Sequence, residues 1–251
     1  MLKNKLLLAA LASSFALPAL ADDAAPASPF SSNVSLTNNY LYRGISQSGA
    51  NPAIQGGFDY ANANGLYVGT WGSSISWLSD AGVASRSGLE LDTYGGYRGT
   101  VSAVSYDVGY LRYNYSGNFG ANVKADTNEV YAAATYSIVT AKVSYSLGDL
   151  FGFTASAGST YADLSASYPI PDTGYTLGAH YGKQTVAGNN AGVSNSQYSY
   201  SDYRVSVAKD LGTGYSASLT VSSTDAKAAS YTSQGINLGK TAVVVALSRT
   251  F

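Results

Sequence analysis

Residues Lys240–Phe251 read KTAVVVALSRTF, and counting back in twos from Phe251 splits them into two sets. Phe251, Arg249, Leu247, Val245 and Val243 are bulky and, Arg249 apart, apolar. Thr250, Ser248, Ala246, Val244 and Ala242 are small. A period of two with one oily face is a β-strand whose two sides meet different surroundings. A soluble sheet seldom leaves such a strand on its edge. A membrane barrel needs its last strand to close against its first. The expected arrangement turns Val243, Val245, Leu247 and Phe251 toward lipid as the barrel-closing residues, and Ala242, Ala246 and Ser248 toward the lumen beside strand one. Arg249 interrupts the oily row close to the strand end, where a guanidinium snorkels to headgroups at small cost.

The composition points the same way. Residues 1–21 carry Lys3 and Lys5, a short apolar run and Ala19-Leu20-Ala21. That is the pattern of a cleaved secretory signal peptide, with 22–31 a flexible segment ahead of a barrel over 32–251. Removing the signal leaves 12 basic against 15 acidic side chains, a net −3, which is not the balance of a nucleic-acid binder. With no Cys there is no disulfide, thiolate nucleophile or thiolate metal site. Only 12% of residues are charged, while Gly (27) and Tyr (22) are abundant, as suits strands that meet lipid on one face and water on the other. After the signal no apolar run is long enough for a membrane helix.

The alternation recurs along the chain. Val34, Leu36, Tyr40 and Tyr42 share one face of a first strand, with Arg43 on the other face closing it. Further runs start near Ile54, Leu66, Leu89, Tyr106, Val130, Val143, Ala162, Tyr175, Tyr203 and Tyr215, and the closing strand makes twelve. Connections alternate strictly between long and short, beginning long. The sequence therefore reads as an all-β, antiparallel up-and-down transmembrane barrel, with short periplasmic turns and longer extracellular loops. Tyr60, Tyr97, Tyr136, Tyr168, Tyr175 and Phe251 fall at the turn ends of strands, and Tyr40, Tyr42, Tyr145 and Tyr203 nearer the loop ends. Two aromatic girdles are expected from them. Trp71 and Trp77 share a parity, and their orientation stays open.

Several stretches carry a resemblance: Asn39–Ser48 (NYLYRGISQS), Pro52–Tyr60 (PAIQGGFDY), Gly65–Ser73 (GLYVGTWGS), Glu90–Gly99 (ELDTYGGYRG), Ser105–Gly109 (SYDVG) and the terminal LSRTF. Over nearly the whole mature chain these resemble the TorF-type porins of proteobacteria. Tyr113–Gly117 (YNYSG) departs from the pattern, where a Tyr-Pro pair is expected. The resemblance implies a barrel and a porin-like role, and no established substrate or active site. A C-terminal strand ending in Phe likewise resembles the assembly signal of bacterial outer-membrane proteins. The partners expected are therefore outer-membrane lipids and lipopolysaccharide, the barrel assembly machinery through that strand, and small solutes; no nucleic acid and no cofactor is expected.

On the alternation, the lumen receives Asp59, Glu90, Asp92, Asp107, Glu129, Asp163, Asp202 and Asp210, and against these acids Arg43, Arg98, Lys142 and Arg204. Such charges are tolerated inside only if the lumen is wet or they pair across it. The first case is a narrow, mildly acidic pore, and the second a salt-bridged plug. Arg43 opposite Glu90 and Asp92 is one expected constriction. His180, the single His, also points inward. A Ser–His hydrolase of the lipase or acyltransferase type is an alternative to a channel. A structural or adhesive barrel without conductance is another. One His with scattered carboxylates lacks the spacing of a metal site.

Overall fold

The computed structural model describes residues 28–251, so the signal-peptide expectation for 1–21 and most of the segment 22–31 lie outside the described residues. Twelve long strands follow in chain order: Phe30–Thr37 (β1), Ala53–Ala61 (β2), Leu66–Ser74 (β3), Leu89–Val101 (β4), Val104–Tyr115 (β5), Thr127–Tyr136 (β6), Val139–Ser146 (β7), Thr160–Ile170 (β8), Tyr175–Thr185 (β9), Tyr200–Gly212 (β10), Tyr215–Thr224 (β11) and Ala242–Thr250 (β12). Each pairs antiparallel with its sequence neighbours, and β12 pairs with β1, so the sheet closes into a barrel. Closure satisfies every strand edge, which is what allows a sheet to stand in hydrocarbon. At the seam Leu36 faces Leu247 and Ser35 faces Ser248. The Ser248 hydroxyl donates to Ser35 Oγ at 2.8 Å on the lumen side.

The outward faces are apolar and bare. Leu36, Val205 and Val243 are 57%, 60% and 56% exposed, and Val245, Leu247 and Phe251 of the closing row are comparably open. A continuous band of that kind is unstable against water and matches acyl chains. Tyr97, Tyr136, Tyr168, Tyr175 and Phe251 form the girdle at the turn end. Tyr60 joins it beside Phe30, with ring centroids 5.1 Å apart. Arg249 also faces outward there. It donates to the Tyr215 hydroxyl at 3.1 Å, and its guanidinium lies 4.8 Å from the Tyr215 ring and 4.5 Å from the Phe251 ring. Stacking on two interfacial aromatics is how this cation is accommodated.

The connections sort as expected. Those at 62–65, 102–103, 137–138, 171–174 and 213–214 share one end with both strand termini of the seam. Thr213 and Gly214 both take positive φ, 52° and 81°, as a two-residue hairpin turn with the sheet's own twist requires. Asp210 sits beside this turn. It is exposed and accepts the Gly212 N–H at 2.8 Å, so it caps the turn and does not line the lumen.

The opposite end carries the long loops, and the first differs from expectation. Tyr40 and Tyr42 are not in an outer girdle: Tyr40 is 5% exposed, and Tyr42 packs against the interior cluster. The ladder stops at Thr37. Loop 38–52 then turns into the barrel as a small ribbon, Leu41–Tyr42 paired with Ile45–Ser46. Arg43 therefore does not close strand one. It occupies the tip of this ribbon with Gly44, at φ of 48° and 77°. Loop 75–88 contributes a short helix, Trp77–Asp80 (α1), and loop 225–241 another, Ala228–Tyr231 (α2). Trp71 faces the lumen from β3, while Trp77 lies on the helix, so their shared parity has no common meaning.

Candidate functional site: the lumen and its inward loop

The lumen wall has two unlike arcs. From β11 through β12 to β1 the inward side chains are small, including Ser218, Thr220, Val244, Ala246, Ser248 and Ser35, and they are half-buried. None is aromatic or charged. From β3 to β10 the inward positions carry nearly all the tyrosines and charges that the alternation assigns to the interior.

The tyrosines of the larger arc lie along the wall. Cross-strand register places Tyr94, Gly69 and Asp59 in one row over three strands. The Tyr94 ring crosses the glycine and its hydroxyl donates to Asp59 Oδ1 at 2.6 Å. A Cβ on Gly69 would stand 2.6 Å from that ring. A second row runs Tyr67, Gly96, Gly109, Tyr131, so that two rings approach over two glycines and their hydroxyls meet. Tyr67 also donates to Asp107 Oδ1 at 2.5 Å. Tyr161 crosses Gly182 in the same way and donates to Asp202 Oδ2 at 2.9 Å. Glycine here is a matter of space: a side chain at these positions would push a ring off the wall.

The bases use these rings. Arg98 lies over Tyr67 at 4.1 Å, and Lys142 over Tyr131 at 4.2 Å, within cation–π range. Asp163 stands opposite Lys142 in the ladder, and Arg204 opposite His180. Glu90 and Asp92 are 1% and 3% exposed, near the loop end. Tyr40 and Tyr115 reach Glu90 Oε1 at 3.4 and 3.5 Å, while Glu90 Oε2 and Asp92 Oδ1 have no partner.

The expected constriction of Arg43 with Glu90 and Asp92 is replaced by another pairing. Arg43 Nη2 donates to Glu129 Oε2 at 2.7 Å, and Nη1 to Gln184 Oε1 at 2.8 Å. Its guanidinium lies between the Tyr42 and Tyr161 rings, at 4.8 and 4.3 Å. Burial alone would lower this guanidinium, but the Glu129 carboxylate holds it well above its ordinary value. The Tyr42 and Tyr113 hydroxyls meet at 2.5 Å. Gly44 reaches the far wall, where a Cβ would stand 2.5 Å from Thr224 Cγ2 and 2.8 Å from Asp202 Cβ. The ribbon thus crosses the lumen from β1 to β10 and β11. Behind it, Asn39 Oδ1 accepts the Ser46 hydroxyl at 2.6 Å, and Ser46 N–H donates to the Leu238 carbonyl at 2.9 Å. Gln184, Tyr161, Tyr42 and Tyr113 are site residues that alternation alone does not single out. The available signal was the pair Arg43-Gly44 flanked by alternating residues, a hairpin-turn pattern inside a supposed strand end.

His180 is held by two carboxylates, Asp163 Oδ2 at 2.9 Å from Nδ1 and Asp202 Oδ1 at 2.8 Å from Nε2. Ser165 Oγ lies 3.1 Å from Nδ1 and itself donates to Asp163 Oδ1 at 2.7 Å. With both ring nitrogens facing carboxylates, neither offers a lone pair to withdraw the Ser165 proton, as a Ser–His nucleophile requires. Among the described residues no cluster of three or more His, Asp or Glu has the arrangement to hold a metal ion.

Several solved structures share this fold. The KdgM porin superposes with a TM-score of 0.52 at 7% identity, over 88% of this chain and 97% of that one. The KdgM porin in complex with disordered oligogalacturonate gives 0.52 at 10% identity, over 88% and 98%. The COG4313 outer membrane channel from Pseudomonas putida gives 0.50 at 15% identity, over 91% and 97%. At these identities what is shared is the fold. No curated protein matches the sequence. The model of one family, described as "Bacterial protein of unknown function (Gcw_chp)", matches residues 21–251, and the chain belongs to that family.

Proposed function

We propose that the protein is a porin-like channel of a bacterial outer membrane, passing ions or small hydrophilic solutes by diffusion through a mildly acidic lumen narrowed by loop 38–52. The observation that carries this reading is the water-accessible stripe of Ser35, Ser248, Ser218 and Thr220, which runs beside the charged arc toward the tip of the ribbon. Small hydroxyls keep water in register without trapping an ion. The acids of the other arc, Asp92, Asp107 and Asp163 among them, with Asp59 beside it on β2, bias the stripe toward cations. The apolar outer band supports placement among outer-membrane lipids and lipopolysaccharide, with turns toward the periplasm. Export by a cleaved leader and insertion by the barrel assembly machinery through β12 belong to the same reading. The resemblance to TorF-type porins agrees with it.

The test is conductance of the folded, heat-modifiable protein in planar bilayers under a salt gradient. The expected result is discrete openings and a reversal potential of weak cation preference; anion preference would overturn the acidic-lumen reading. A second reading, a barrel without conductance, is favoured by one observation. The Arg43 and Glu129 side chains are only 7% and 2% exposed, as in a fixed plug. Silent bilayers with correctly folded protein decide for it.

A further inference from the structure

Above the ribbon the six long loops and neighbouring strand ends line an open-mouthed cavity of about 490 Å³. Its chemistry contrasts with the lumen below. Tyr42, Trp77, Tyr115, Phe151, Tyr200 and Tyr231 supply aromatic walls, and Ile45, Val83, Leu150, Val186 and Leu238 aliphatic ones. No Asp, Glu or Lys is among the described residues that line it. The one charge, Arg43, is spent on Glu129 and covered by two rings.

The walls are braced as a unit. Trp77 meets Tyr115 edge-on at 5.6 Å, and Phe151 packs on Tyr42 at 5.6 Å and on Tyr115 at 6.4 Å. The Tyr231 ring meets Tyr200 at 5.3 Å, and its hydroxyl donates to the Tyr198 carbonyl at 2.6 Å. Polar side chains complete the lining, Gln47, Asn122, Thr154, Gln184 and Ser230 among them. A preformed, largely apolar pocket of this size with a few polar groups is the profile of a small-molecule site. An ion entering it would lose water with no opposite charge to replace it. A sugar would set hydroxyls on both of its faces against the aromatic and aliphatic walls, where they lose water without a partner.

We propose that this vestibule binds a small, uncharged, ring-bearing amphiphile of aromatic character, with one or two oxygens that accept hydrogen bonds. The site stands on the loops and on the strand ends that carry Tyr115, Gln184 and Tyr200, and does not require that the barrel conduct.

The chain contains two tryptophans, and only Trp77 lines the cavity. A Trp71→Phe variant in lipid nanodiscs therefore reports the site through Trp77 fluorescence. Methyl benzoate is the probe, with sodium benzoate and methyl glucoside as comparators and empty nanodiscs as the partitioning control. The expected result is a saturable change with methyl benzoate and binding at least about tenfold weaker for the charged benzoate, since its desolvation is uncompensated. Methyl glucoside should give none. Adding Ala81→Phe, which fills the cavity from its rim, should abolish the saturable signal. Calorimetry of the unsubstituted protein with the same probes repeats the measurement if Trp71→Phe disturbs folding. Non-saturable quenching equal to partitioning, tighter binding of benzoate or glucoside, or indifference to Ala81→Phe each overturns the proposal. Silent bilayers with saturable binding would sink the channel reading and leave this one standing.

Discussion

The arc from β3 to β10 and the arc from β11 through β12 to β1 are built on the same pleat, yet they solve opposite problems. The first buries Glu90, Glu129 and Asp202 almost completely, and surrounds its charges with tyrosines laid flat over glycines. The second holds only small side chains, among which Ser35 and Ser218 keep partial exposure. One arc fixes charges in rigid side chains, and the other keeps its inner face free of rings and charge. Charge on both arcs would close the lumen by pairing across it. Small residues on both would leave a pore without preference.

The sharpest way to break the comparison is at the ribbon that joins the arcs. Glu129→Gln leaves Arg43 buried without its counter-charge, which costs about 3–5 kcal/mol of ribbon anchoring. The ribbon should leave the lumen, and single-channel conductance should rise severalfold; an unchanged conductance would mean that the ion pair does not seat it. Next comes Gly69→Ala on the charged arc. The new methyl collides with Tyr94, and overpacking of this kind costs about 1–3 kcal/mol. A lower unfolding midpoint in urea, with reduced conductance as the ring swings inward, is the expected pair of results. On the small-residue arc, Ser218→Lys should leave the unfolding free energy within about 0.5 kcal/mol. It should move the reversal potential toward anions, and no movement would show that ions do not pass this stripe. The smallest effect is expected outside both arcs. Arg249→Leu removes two exposed cation–π contacts worth about 0.5–1 kcal/mol each at most and adds apolar surface facing lipid. Bilayer selectivity should not change.

Much of this architecture was legible because β-strands announce themselves by parity. The closing row of Val243, Val245, Leu247 and Phe251 faces outward as the alternation requires, and Ser248 meets Ser35 at the seam. Strict alternation of long and short connections fixed which end carries the loops. The ribbon was not legible in the same way. Tyr40 and Tyr42 continue the period of two beyond Thr37, and nothing in parity says that the hydrogen-bond ladder has ended. Only the left-handed pair Arg43-Gly44 marks the fold-back. The rows of tyrosine and glycine were hidden for another reason. Each row is defined by register between strands, and a one-residue slip would dissolve it. Asp210 shows the limit from the other side, since a turn with its own donors captured a carboxylate that parity assigned to the lumen.

The seam has a consequence for the order in which the barrel is made. The rows Tyr94–Gly69–Asp59 and Tyr67–Gly96–Gly109–Tyr131 join consecutive hairpins, so they assemble from contacts close in sequence. The Ser248–Ser35 contact spans 213 positions, and its loop entropy must be met last. Because β12 and β1 carry no ring or charge on their inner faces, the final pairing has no bulky group to thread past another. It can slide into register along hydroxyls and methyls, after the large side chains have found their places.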